Sequence, residues 1–164
     1  MIEGRVWKYK DNINTDIISP PAYMELKMEE AAKYAMSPVD PTFAKECRTG
    51  DILVAENNIG SGSSRETAPL TLKICGINTI VAKSYARIFY RNCINVGILA
   101  IICKDTEKIS KNDIINIDHN DGKIYNKTTD EVYECNVIPK HIMEIVECGG
   151  LLEYLKQKAK KNVN

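Results

Sequence analysis

Gly60-Ser61-Gly62-Ser63-Ser64-Arg65 gathers two glycines, three hydroxyls and a guanidinium into one short stretch. The set suits a small anion. Glycine lets the backbone turn tightly and approach a ligand. Arg65 offers a planar fork of donors that matches a carboxylate or a phosphate. The serine hydroxyls could cap a helix or act on the ligand. A helix opening near Ser64 would add free N–H groups and a positive dipole end at the same point. A plainer reading uses the same residues: Ser63 or Ser64 caps the helix, while Arg65 pairs with Glu66 or Asp51 on the surface. Helix caps and anion sites share these residue types, so the local pattern leaves both open.

Two nucleotide readings fail. A P-loop needs Lys-Ser/Thr after its last glycine, and here Ser63-Ser64-Arg65 follows Gly62. A dinucleotide fingerprint needs a third glycine for close helix packing, and Arg65 occupies that place.

The elements that must position this loop alternate. Residues 5–9 read as a first strand, and 12–16 are turn-rich before the short apolar step Ile17-Ile18. Ser19-Pro20-Pro21 stops regular structure. Residues 25–36 have helical spacing, with Met28, Ala31, Ala32 and Ala35 as a weak apolar face. Ile52–Ala55, Thr79–Ala82 and Ile98–Cys103 are apolar strands separated by helical segments at 66–75 and 85–95. Strands alternating with helices imply β–α–β units and a parallel sheet. Beyond them, 113–118, 123–126 and 131–137 read as a small antiparallel meander turning at Asn120-Asp121-Gly122. After the Cys148-Gly149-Gly150 turn, Leu151, Leu152 and Leu155 form the expected inner stripe of a last helix. The fold class is therefore α/β, mostly parallel, in one domain over 1–164.

Lys+Arg and Asp+Glu both number 22, so nothing global draws the chain to nucleic acid or an anionic membrane. Lys156, Lys158, Lys160 and Lys161 form one basic cluster, read as a solvated helix end. No segment is long and apolar enough for a membrane span, and no signal-peptide pattern precedes the first strand. Cys47, Cys75, Cys93, Cys103, Cys135 and Cys148 form no C-x-x-C pair, and only His119 and His141 accompany them. They read as reduced thiols of a cytoplasmic protein, without a metal or iron–sulfur site in this chain. Tyr85, Phe89 and Tyr90 read as core, and Arg87 and Arg91 share a helix face.

Gly60-x-Gly62-Ser63-Ser64-Arg65-Glu66 resembles the G-C-G-S-S-R-E-H motif of the small, swivelling subunit of 3-isopropylmalate dehydratase, in the aconitase superfamily. Four further stretches agree in order: Gly4-Arg5-Val6-Trp7 with Asp11–Ile18 and Pro20, then Lys83–Asn92, Asn95-Val96-Gly97, and Gly149-Gly150-Leu151. The resemblance implies a swivelling β/β/α domain and a half-enzyme of leucine biosynthesis. Its partner would be a large subunit carrying a [4Fe–4S] cluster, in a heterodimer or heterotetramer, and its substrate a small dicarboxylic acid. It also assigns roles: Ser63 as general base, Arg65 as carboxylate ligand, Ser64 as a neighbouring hydrogen-bonding group and Asp16 as an active-site aspartate. Ser61 and Thr67 stand where the family has cysteine and histidine. In the specificity loop, Tyr23-Met24-Glu25-Leu26 stands for Tyr-Leu-x-x. Glu25 replaces the arginine of homoaconitases and would repel an extra substrate carboxylate. That favours an apolar substituent, as in 3-isopropylmalate, 2,3-dimethylmalate or citramalate; Glu25 pointing to solvent is the plainer alternative. A competing class is a stand-alone anion-binding module using the loop without catalysis.

Overall fold

Short apolar runs such as Ile52-Leu53-Val54 can only be stable as strands covered on both faces. A computed structural model describes residues 1–163 and shows how that is met. Strand β1 (Ile2–Lys8) is followed by three single-turn helices, α1 (Thr15–Ile18), α2 (Met28–Ala31) and α3 (Phe43–Glu46). Then β2 (Ile52–Val54), α4 (Thr67–Ile74), β3 (Thr79–Ala82), α5 (Arg87–Asn95) and β4 (Leu99–Ile102) alternate. Three antiparallel strands follow, β5 (Ile114–Asp118), β6 (Lys123–Asn126) and β7 (Glu131–Glu134). Helices α6 (Lys140–Glu147) and α7 (Leu151–Val163) close the chain.

One sheet holds all seven strands in the order β4-β3-β2-β1-β5-β6-β7. β1 lies at its middle. It pairs parallel with β2 through Val6 and Ile52, and antiparallel with β5 through Arg5 and Ile114. The sheet curls until its outer edges touch: the Cys103 and Cys135 backbones pair in an isolated antiparallel bridge, and the Asn136 N–H donates to Ile102 O at 3.1 Å. Neither edge is left as a long open template.

Alternation along the strands divides the interior in two. Trp7, Leu53, Ile80 and Ala100 face Phe43, Ala68, Leu72, Phe89 and Cys93 on the helical side. Val6, Ile52, Val54, Val81, Leu99 and Ile101 face the antiparallel residues Ile115, Ile117, Ile124 and Tyr133 on the other. At the start of β2, Asp51 ties the two halves together. Its Oδ2 accepts hydrogen bonds from Arg5 Nη2, Trp7 Nε1 and the Arg48 N–H, each at 2.9 Å.

The structure departs from expectation in four places. Residues 25–36 are not one helix: α2 tightens into a 3-10 turn at Ala32–Tyr34 and ends at Met36, whose φ is +62°. The 12–16 turn runs into α1, capped by the Asn14 side chain on the Ile17 N–H at 2.9 Å. Lys140–Glu147, unassigned from the sequence, is a helix. Leu152 and Leu155 are not an inner stripe, being 65% and 52% exposed.

Burial alone would raise the Asp51 pKa. Hydrogen bonds from Arg5, the Arg48 N–H and Trp7 outweigh it and hold the carboxyl below its usual range. A depressed folded pKa stabilises the fold above the unfolded value of about 4, and that contribution is lost as pH falls through the folded value. Asp51→Asn is expected to lower stability by about 2 kcal/mol at neutral pH and to flatten the acid limb of the stability curve. Denaturant unfolding at neutral and acid pH checks both.

Candidate functional site

Parallel strands β1, β2 and β3 end on the same side, and the loops that leave them meet there, where open α/β sheets place ligands. The loop after β2 is held on both flanks. From the β1 side, Asp11 Oδ1 accepts from the Asn57 N–H at 2.8 Å, and Ile13 O accepts from the Gly60 N–H at 2.7 Å. Two hydrogen bonds from Asn57, through its backbone and its side chain, keep the Asp11 carboxyl below its usual pKa. From the β3 side, Ser84 Oγ accepts from the Asn58 N–H at 2.8 Å, and the Ala86 N–H donates to Ile59 O at 3.0 Å.

Two glycines are required by contact as well as by conformation. Gly60 has φ +87°, and a Cβ there would lie 1.9 Å from the Phe89 ring. Gly62 has φ +113°, and its Cβ would come 2.9 Å from Thr15 Oγ1. That approach lets Thr15 clasp the loop twice. Its N–H donates to Ser61 O at 2.9 Å, and its Oγ1 accepts from the Ser63 N–H at 3.0 Å. From below, Asn92 of α5 donates through Nδ2 to Ser64 O at 3.0 Å.

With its backbone held, Ser63 meets Arg65. Arg65 Nε donates to Ser63 Oγ at 2.8 Å, and the Arg65 N–H donates to the same oxygen at 3.3 Å. Arg65 Nη1 donates to Met24 Sδ at 3.2 Å. A guanidinium has five N–H donors, so both hydrogens of Nη2 and one of Nη1 remain for a ligand. That end-on edge fits a carboxylate bidentately. The same cation, resting on Ser63 Oγ, favours an ionised hydroxyl.

The helix after the loop begins at Thr67 rather than near Ser64, and its N-cap is Glu66 without a side-chain cap bond. Neither Ser63 nor Ser64 caps it. Arg65 has no ion pair among the described residues, and Asp51 is engaged at the opposite end of β2. The capped-helix reading of the loop is thereby set aside.

The remaining candidates lie around this centre. Asp16 is exposed, one residue beyond the Thr15 clasp. Tyr23 stacks on Tyr34 with ring centroids 3.7 Å apart, which fixes the loop carrying Met24 and the exposed Glu25. Ser64 is exposed beside Arg65. Arg87 and Arg91 are exposed on α5 without ion pairs among the described residues. Tyr85 packs against the core, its hydroxyl donating to Ile101 O at 2.7 Å with Ile80 O 3.0 Å away. His119 and His141 belong to other parts of the molecule, His119 lining a cavity with Met1 and Met143. All six cysteines are free thiols, and burial pushes Cys75 and Cys135 up to about 11. Among the described residues, no three His, Cys, Asp or Glu side chains converge to hold a metal ion. Thr15, Met24 and Asn92 are the supporting residues that sequence reasoning did not single out. Each lies inside a quoted motif, next to a residue that was.

Thr15 is 5% exposed, so removing its oxygen strands the Ser63 N–H. Thr15→Val is expected to cost about 1–2 kcal/mol and to speed amide exchange at Ser63 by about tenfold. Exchange in the core strands stays slow, and residue-resolved hydrogen exchange reads both.

Comparison with known proteins agrees with this geometry. Residues 11–106 match the Aconitase C-terminal domain family. The chain is 49% identical over 154 residues to 3-isopropylmalate dehydratase small subunit 1 of Archaeoglobus fulgidus, covering 93% of this chain and 96% of that protein. It is 48% identical over 160 residues to the isopropylmalate/citramalate isomerase small subunit of Methanocaldococcus jannaschii, covering 96% and 95%. A crystal structure of 3-isopropylmalate dehydratase from Methanocaldococcus jannaschii superposes with a TM-score of 0.92 at 39% identity, covering 99% of this chain and 97% of that one. With a glycine loop built as above and more than half its length matched, the chain belongs to the Aconitase C-terminal domain family.

Proposed function

We propose that this chain is the small subunit of a two-subunit hydro-lyase that interconverts 2-isopropylmalate and 3-isopropylmalate by dehydration and rehydration. The observation that carries this reading is the 2.8 Å hydrogen bond from Arg65 Nε to Ser63 Oγ, in a loop that leaves the outer edge of Arg65 free. The names of the relatives support the substrate class, and citramalate, in one relative's name, is the variant to test beside it.

The chemistry follows from the pair. A proton on a carbon next to a carboxylate becomes removable when negative charge spreading into that carboxylate is stabilised. Arg65 does this through its free end-on edge, as a donor set aimed at developing charge. Ser63 Oγ receives the proton. A hydroxyl is a poor base by itself, and the Arg65 cation on its oxygen lowers the cost of the alkoxide. In this reading Asp16 and Ser64 are further substrate-facing groups, and Met24, between Tyr23 and Glu25, touches the far side of Arg65. The exposed Glu25 disfavours a third substrate carboxylate there and suits an apolar branch.

Departure of the hydroxyl lies outside this chain. Its described residues offer no convergent donor set for an iron–sulfur cluster. We assign the [4Fe–4S] cluster implied by the family to the large partner subunit.

Reconstitution with the large subunit tests the reading. The isolated chain is expected to be inactive, and the complex to turn over 3-isopropylmalate in a panel with citramalate, 2,3-dimethylmalate and homocitrate. Ser63→Ala should lower kcat by about 10³ with assembly intact, as expected for loss of a general base. Arg65→Lys should raise KM by about tenfold or more through loss of the bidentate contact. Turnover by the isolated chain, or a Ser63→Ala complex near the parent rate, overturns the assignment.

A further inference from the structure

The contact between Met24 Sδ and Arg65 Nη1 joins an oxidisable sulfur to the cation at the centre of the site. A thioether is a weak acceptor, so it holds the guanidinium loosely. Met24 is also accessible, at 46% exposure, on the loop whose Tyr23 stacks on Tyr34. The other methionines differ. Met36 and Met143 are buried at 0% and 9%, and Met28 is half-buried; Met1, at 74%, is more exposed than Met24 but lies beside His119 and Thr79, at the opposite end of the parallel strands from Arg65. Five of the six thiols are poor competitors for peroxide, which attacks thiolates: burial raises Cys47 to about 12 and Cys75 and Cys135 to about 11, and pushes Cys93 and Cys103 up as well; Cys148 sits between α6 and α7, away from the glycine loop. A thioether needs no deprotonation.

We propose that Met24 is a modification site, at which a peroxide-class oxidant converts the thioether to a sulfoxide and so weakens the hold of Arg65 on a substrate carboxylate. This rests on Arg65 as the carboxylate ligand. In the step, a sulfur lone pair attacks one peroxide oxygen, the O–O bond breaks and an S–O bond forms. The other oxygen leaves as water after proton transfer; sulfur loses two electrons and the peroxide gains them. The sulfoxide oxygen is a much stronger acceptor than the sulfur it replaces. It draws Nη1 toward the 20–26 loop and turns the end-on edge away from the ligand. The change is reversible, since methionine sulfoxide is a substrate for dedicated reductases.

The isolated chain is treated with hydrogen peroxide, the excess is destroyed with catalase, and the chain is then assembled with untreated large subunit. Peptide mapping should find Met24 one oxygen atom heavier. KM for 3-isopropylmalate should rise about tenfold, with kcat within about twofold of the untreated complex. Methionine sulfoxide reductase should restore it, and Met24→Leu should show the same KM before and after peroxide. An oxidised Met24 without a change in KM overturns the inference. So does an equal KM rise in Met24→Leu, or a Met24 still unoxidised when Met1 is fully oxidised. A second measurement needs no turnover: the Arg65 Nε–H resonance of the isolated chain should shift on oxidation, and should not shift in Met24→Leu. If the untreated complex is inactive on the whole panel, the proposed function fails while this resonance still decides the role of Met24; an unmoved resonance overturns it.

Discussion

Thr15 meets the glycine loop twice, and the geometry around Ser63 depends on that clasp. Its N–H reaches Ser61 O and its Oγ1 receives the Ser63 N–H, so the residues on either side of Gly62 are fixed to one side chain and its own backbone. The constraint is tight because Thr15 is buried and because a Cβ at Gly62 would come 2.9 Å from its oxygen. Asn14 caps the turn that carries Thr15, and Asp11 and Ile13 hold the other side of the loop. A segment only ten residues long, 9–18, between β1 and the end of α1, thus fixes where a loop some fifty residues later can lie.

Arg65 then serves two oxygens with one charge. Its Nε edge rests on Ser63, while its end-on edge points outward. A lysine in its place would be a point charge and could not divide itself along two directions. This explains why the third position of a dinucleotide-like glycine pattern can hold so large a side chain. Asn92 reaches Ser64 O from α5, so the helix contacts the loop through a polar side chain at this point.

Much of this was legible in the sequence, and the illegible parts share a cause. Ile52–Val54, Thr79–Ala82 and Leu99–Ile102 announce themselves because strands covered on both faces are apolar at nearly every position. Asn120-Asp121-Gly122 announces the β5–β6 turn because few residues accept its backbone angles. Ser63 and Arg65 stand out because their types and order are chemical. Met24 and Thr15 do not, since their contacts with Arg65 and Ser63 span 41 and 48 residues and follow from strand pairing rather than local pattern. Helix α6 offers only two turns of apolar repeat, too few to stand out. The leucines of α7 misled because period alone shows that a face is apolar, and not that anything covers it: Leu152 and Leu155 remain exposed.

The central place of β1 in the sheet has a consequence for the chain as it is synthesised. β1 acquires its parallel neighbour when β2 emerges from the ribosome, and β3 and β4 extend that side in order. Its other edge stays unpaired until Ile114–Asp118 appears, more than a hundred residues after β1 began. The nascent protein therefore carries an open half-sheet, with Val6 and Ile52 uncovered on one face and Val81 and Ile101 joining them, until the antiparallel strands arrive. Only the last third of the sequence can close it.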